Sequence, residues 1–173
     1  MKSKSTNEKS KSAAGNTSNP NALPIKRILV PIDFSVHSKN ALRYAVPFSV
    51  QFDAELLLVY VVEPTIYPAD LSFGQIGIPS LEQELRHRGQ AELQRLIEKQ
   101  IAGKVRARAI IRTGKPFLEI IETAREENID LIIIASHGHT GVEHILFGNT
   151  AEKVVRKASC PVLVVRPAND DPG

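Results

Sequence analysis

The residues best placed to do chemistry are three glycines and one aspartate. Gly138, Gly141 and Gly148 follow the apolar run Leu131–Ala135 and precede a helical pattern that starts at Asn149. Glycines beyond a buried strand let backbone N–H groups close on an anion. A helix N-terminus adds unpaired donors and the positive end of its dipole. That combination predicts phosphate binding. Asp33 stands directly after another apolar run, Ile25–Ile32, where a carboxylate can accept from a ligand's donors. The plainer readings are a tight glycine loop and a strand-end carboxylate that caps the next turn. The second of these is compatible with ligand binding.

Other reactive residue types carry less. His137, His139 and His144 match no zinc spacing and have no cysteine close in sequence, so they read as loop or solvent-facing histidines rather than ligands. Ser136 and His137 are adjacent, which does not set a base on a nucleophile. Asp33 as a general base lacks a substrate that anything here specifies. Cys160 precedes Pro161 at the start of an apolar run and reads as small core filler rather than a redox sensor.

The elements that must position these residues follow from the apolar patterning. Ile25–Ile32 reads as a strand buried on both faces, with Pro31 at its end where a missing ladder donor does least harm. Ser35 is a plausible N-cap for one helix to about Phe52, with Pro47 expected to kink or loosen its second half. Ala54–Val62 is a second buried strand. Glu63–Ser80 holds Pro64, Pro68, Gly74, Gly77 and Pro79 and reads as a long irregular loop, a lid or interface segment. Leu81–Ala102 is a half-wet helix. Val105–Thr113 alternates Arg106, Arg108 and Arg112 with apolar residues, as a half-exposed edge strand does. A turn at Gly114-Lys115-Pro116 leads into a helix ending near Asn128. Leu131–Ala135, a helix from Asn149 to about Ala158 and a strand over Pro161–Arg166 complete the chain.

Strictly alternating strands and helices predict an α/β fold, a single doubly wound five-stranded parallel sheet with helices on both faces. Right-handed crossovers give the strand order 3-2-1-4-5. The winding reverses between the first and fourth strands, and open sheets of this kind bind ligands there, outside the strands' carboxyl ends. Asp33 and the glycine loop both end at that crevice. The Walker G-x-x-x-x-G-K-[ST] pattern is absent, and no G-x-G-x-x-G follows the first strand. The turn after that strand lacks the glycines of an ATP-pyrophosphatase loop. Arg112-Thr113-Gly114 stands where a response-regulator receiver would need its acceptor aspartate. The last strand, Val162, Leu163, Val164 and Val165, is a bare apolar edge, which invites pairing with a second copy.

The bulk numbers bound the class. With 173 residues and 42% hydrophobic content the chain suits one domain. The formal charge is +3, but four of the 22 basic residues and one of the 19 acidic ones lie in residues 1–24. That leaves 18 of each in the rest, so the excess belongs to a Ser/Lys-rich tail and argues against a nucleic-acid partner. The tail, residues 1–24, is expected to be disordered, as a leader or a docking arm, and residues 168–173 to fray. One cysteine forms no internal disulfide and suits a reducing compartment. No apolar run approaches the roughly 20 residues of a membrane span, and no signal-peptide core is present, so the expected location is the cytoplasm.

Several stretches together resemble the universal stress protein family. They are V-P-I-D-F-S at 30–35, L-L-V-Y-V-V-E-P at 57–64, G-K-P at 114–116, S-C-P-V-L-V-V at 159–165, and above all Ile129–Arg166 as a whole. The resemblance runs from about Ile25 to Pro167, the expected domain of residues 25–167, and implies the fold derived above. In the family's ATP-binding members the loop reads Gly, two residues, Gly, nine residues, Gly, then Ser or Thr. Ala135, Gly138, Gly148 and Asn149 occupy those positions here. Two glycines are kept, Ala135 puts a β-carbon on the pattern, and Asn149, followed by Thr150, replaces the hydroxyl residue.

The resemblance implies a nucleotide site of Pro31, Ile32, Asp33, Val61 as an adenine wall, Ile134, Ala135, Gly138, Gly148, Asn149 and Thr150. The implied cofactor is ATP, with or without Mg2+, hydrolysed slowly at most. It also implies a homodimer through antiparallel pairing of Val162–Val165. The expected function is a stress-response regulator with unnamed protein partners. The alternative is a dimeric interaction protein that works without nucleotide.

Overall fold

The structure, a computed structural model, describes residues 24–64, 78–137 and 148–166. The expectations for the N-terminal tail before Pro24, for residues 65–77, for Gly138 and the rest of the loop to 147, and for the chain from Pro167 lie outside these residues. Ten elements follow in order: β1 (Arg27–Pro31), α1 (Val36–Asn40), α2 (Leu42–Phe52), β2 (Glu55–Val62), α3 (Ile78–Gln100), β3 (Ala107–Thr113), α4 (Pro116–Glu126), β4 (Leu131–Ala135), α5 (Asn149–Lys157) and β5 (Val162–Val165).

The five strands form one parallel sheet in the order β3-β2-β1-β4-β5. The period-2 alternation of the strands sorts two cores. Ile28 and Val30, Leu56 and Leu58, and Leu131 and Ile133 face Leu42 and Ala45 of α2 and Leu93, Leu96 and Ile97 of α3. Leu29, Leu57, Val59, Ile132 and Ile134 face Ile120 and Ala124 of α4 and Ala151 and Val154 of α5. Each fully buried aliphatic side chain contributes about 1.5–3 kcal/mol relative to exposure. A surface ion pair contributes about 0–1 kcal/mol. The two faces therefore hold the sheet, and the charges sort its edges.

One expectation is corrected. The helix over 35–52 is two elements, divided at Ala41, not one helix loosened at Pro47. Ala41 keeps right-handed helical dihedrals, but its N–H is shared between His37 O and Ser38 O, a tightened turn. Pro47 sits inside α2, which continues to Phe52. Pro47 and Arg43, whose carbonyl loses its donor, are both exposed, so the missing N–H falls on the solvent side of the helix.

β3 carries arginines whose carboxylate partners come from β2 and the end of α4. Arg108 Nε lies 3.2 Å from Glu55 Oε1, and the rest of its guanidinium donates to both oxygens of Glu127. Arg27 Nη1 donates to Glu127 O at 2.7 Å. Arg112 Nε donates to Thr123 Oγ1 at 3.1 Å and its fork pairs with Glu126. The hydrogen bonds from Arg108 hold the Glu127 carboxyl below its ordinary pKa, against the opposing pull of burial. Among the described residues no helix is long and apolar enough to cross a membrane.

Candidate functional site

The first, second and fourth strands end on one crevice, at the point where the winding reverses. It encloses about 530 Å³. β1 delivers Pro31, Ile32 and Asp33, β2 delivers Val61, β4 delivers Ile134 and Ala135, and the start of α5 delivers Gly148, Asn149 and Thr150. Nine of the ten residues expected at a nucleotide site thus line one cavity, although they come from segments more than a hundred residues apart in sequence. The tenth, Gly138, lies outside the described residues.

Asp33 is held by the turn it begins. Ser35 N–H donates to Asp33 Oδ1 at 3.0 Å, and Asp33 N–H donates to Ser38 Oγ at 3.3 Å. Ser35 caps α1 by accepting from Ser38 N–H at 3.1 Å. The residue between, Phe34, has φ of 65°, in the left-handed region that a bulky side chain seldom enters. Its ring packs against Tyr60 with centroids 4.8 Å apart. Tyr60 in turn presses on Gly89 of α3, where a β-carbon would come within 2.5 Å of the ring. The aromatic contact holds an unfavourable backbone turn, and that turn brings the Ser35 amide to the carboxylate.

Gly148 serves the chain itself. Its N–H donates to Ser136 O at 2.7 Å, and a β-carbon there would lie 3.3 Å from that oxygen. The close approach expected of this glycine is therefore to the end of β4. No side chain caps α5, and the N–H groups of Asn149, Thr150 and Ala151 have no acceptor within the helix by its geometry. Ala135 is buried and pairs with Val165 in the sheet.

Sequence reasoning missed Tyr60, Glu63, Pro116, Ile120 and His137 as lining residues. Tyr60 and Glu63 stand at the carboxyl end of β2 beside Val61, and His137 lies two residues past Ala135, so the rule that ligands meet strand ends points to them. Pro116 and Ile120 come from α4, which no local signal ties to the crevice. Ser136 Oγ lies 3.0 Å from His137 Nδ1. The two side chains touch, and Ser136 is fully buried at the end of β4. Cys160 is half-buried and packs against the α4–α5 core, and burial pushes its thiol pKa up, the signature of an unreactive sulfur. Among the described residues no cluster of three metal-ligating side chains occurs.

The sequence model described as the Universal stress protein family matches residues 24–166. A universal stress protein of Methanocaldococcus jannaschii is 33% identical over 147 residues, covering 82% of each chain. The solved universal stress protein UspA from Lactobacillus plantarum superposes with a TM-score of 0.71 at 28% identity, over 84% of this chain and 100% of that one. An Arabidopsis thaliana family protein solved with AMP bound shares the fold, with a TM-score of 0.58 at 20% identity over 86% of this chain and 96% of that one. The sheet order, the crevice at the winding reversal and these matches across nearly the whole described chain agree, and the chain belongs to the universal stress protein family.

Proposed function

We propose that this chain is a stress-response regulator that binds an adenine nucleotide, ATP or a relative with fewer phosphates, in the crevice between β1 and β4. The observation that supports this reading is that nine of the ten residues implied by the family resemblance line one cavity of about 530 Å³. Val61 and Ile134 offer apolar walls to a purine, and Asp33 offers an acceptor to ribose hydroxyls. The open N–H groups of α5 and the side chains of Asn149 and Thr150 offer donors to phosphate. If Mg2+ accompanies the ligand, Asp33 and Glu63 are the lining carboxylates able to hold it, mostly through its waters.

The chain acts by binding more than by turnover. Any hydrolysis of ATP is slow. Two copies pair antiparallel through Val162–Val165, in the cytoplasm. The second reading, a dimeric interaction protein that works without nucleotide, draws on Gly148, whose donor is spent on Ser136, and on Ala135 and Asn149.

Thermal denaturation of purified protein with millimolar AMP, ADP and ATP tests the first reading. A rise in midpoint is expected, and Asp33→Asn should reduce affinity roughly tenfold by weakening a charge-assisted hydrogen bond. No shift with any of the three, together with no nucleotide carried through gentle purification, leaves the second reading standing.

A further inference from the structure

Gly89 is buried in the middle of α3, where glycine is a poor helix residue. The reason for it lies in the strand beneath. A β-carbon at Gly89 would meet Tyr60 Cδ1 at 2.5 Å and Cε1 at 2.8 Å. The bare backbone of α3 thus rests against the Tyr60 ring, and the ring cannot move towards the helix. Around this contact α3 is fixed. Arg86 Nη1 donates to Thr113 Oγ1 at 2.8 Å, and Leu85 lines the crevice one turn before Gly89.

The same Tyr60 ring meets Phe34, with centroids 4.8 Å apart. Phe34 has φ of 65°. A bulky residue holds that conformation only where its surroundings impose it. The hydrogen bonds of the turn belong to its neighbours: Ser35 N–H donates to Asp33 Oδ1 and Ser38 N–H to Ser35 Oγ. What Phe34 itself gains comes through its ring, which packs beside Tyr60 on the α2–α3 core.

We propose that Tyr60 and Gly89 are positioning residues for the crevice. The bare backbone at Gly89 sets the Tyr60 ring, the ring holds Phe34 in its left-handed turn, and the turn fixes the Asp33 carboxylate at the end of β1. The proposal rests on the adenine-nucleotide reading above and adds to it a control that runs from α3. Without its support, a left-handed turn at a residue other than glycine is disfavoured by roughly tenfold. Asp33 then leaves its place for part of the time, and affinity falls by the fraction lost. Tyr60 also borders the cavity, so variants at Phe34 and Gly89, which do not line it, separate its two roles.

Titration calorimetry of the full chain with AMP and with ATP and Mg2+ tests this, on variants whose folding is checked by urea denaturation. Phe34→Ala loses the ring and keeps the unfavourable dihedral, whereas Phe34→Gly loses the ring and takes the turn without strain. Phe34→Ala should bind roughly tenfold more weakly than wild type, and Phe34→Gly roughly fivefold more tightly than Phe34→Ala. Gly89→Ala gains helix propensity yet should bind about fivefold more weakly than wild type. In a Phe34→Gly background that loss should shrink to within about twofold. Equal affinities of Phe34→Ala and Phe34→Gly overturn the proposal, because the ring and not the turn would then matter. A Gly89→Ala variant that binds as wild type also overturns it. So does a Gly89→Ala loss that persists beside Phe34→Gly, which would make Tyr60 a wall and nothing more. In each of these cases the wild type still binds, and the adenine-nucleotide reading stands. The two Phe34 variants decide the matter alone if Gly89→Ala does not fold. No binding of either nucleotide by the wild type overturns both readings.

Discussion

The two edges of the sheet are built in opposite ways. β3 reads A-R-A-I-I-R-T and β5 reads V-L-V-V. Each has one side bonded to a neighbouring strand and one side open. On β3, Arg108 and Arg112 are tied to Glu55, Glu126 and Glu127, and the flanking Arg106 is exposed. On β5 there is no charged residue, and Val162, Leu163 and Val164 are half-buried. An arriving strand would meet charged side chains at one edge and none at the other. Charges on an edge strand are a common guard against such pairing. If two copies pair through β5 as proposed, guarding one edge is what lets the other stay bare. One adhesive edge closes a pair, whereas two would build an open chain.

The comparison breaks most visibly if β3 is made to resemble β5. Replacing Arg106, Arg108 and Arg112 with valine should turn a closed pair into open-ended assemblies, read as a concentration-dependent rise in scattered light. A triple variant that stays the size of the parent would remove the guarding role. The opposite change is next in size. Ile132 N–H donates to Pro161 O and Ser136 N–H to Val165 O, so by alternation Val162 and Val164 direct their own backbone groups outward. Val164→Pro deletes an outward donor and leaves the ladder to β4 intact. It should yield a folded monomer at tens of micromolar by light scattering, with association weakened by roughly a hundredfold. A variant that still dimerises would place the interface elsewhere.

Smaller effects sharpen the account of β3. Arg108→Met leaves Glu55 and Glu127, both partly shielded, without their shared cation. Urea denaturation should show a loss of about 1–2 kcal/mol at neutral pH. The smallest effect is its pH dependence. Arg108 lowers the folded pKa of Glu127 below the ordinary 4.5 of the unfolded chain. The stabilisation is therefore present above about pH 4.5 and is lost as the pH falls through the folded value. The gap between wild type and Arg108→Met should be full at pH 7 and should shrink as the pH is lowered below 4.5. A gap that widens in acid would mean that Glu127 is not the partner that matters.

The fold was legible because buried parallel strands announce themselves. Leu131–Ala135 is apolar throughout and appears as β4 with those bounds. The arginines alternating in β3 predicted an edge, and an edge is where it lies. The crevice was legible in outline, because the winding reversal follows from strand order and the residues at strand ends follow from strand bounds.

What stayed hidden depends on contacts across the fold. Nothing local marks Phe34 for a left-handed turn, because the compensation comes from Tyr60 and, behind it, from the missing side chain of Gly89. The break at Ala41 arises from a shared hydrogen bond, while the obvious breaker, Pro47, is harmless on the wet side of α2. Gly148 lines the crevice as expected, but its N–H goes to Ser136 O, a partner that the sequence does not reveal.

The bond from Gly148 N–H to Ser136 O has a consequence for how such a chain can change. It ties the end of β4 directly to the N-cap of α5. The strand wall of the crevice and the helix N-terminus beside it are then one mechanical unit rather than two. A side chain at Gly148 that pushed on the Ser136 carbonyl, 3.3 Å from its β-carbon, would displace both together.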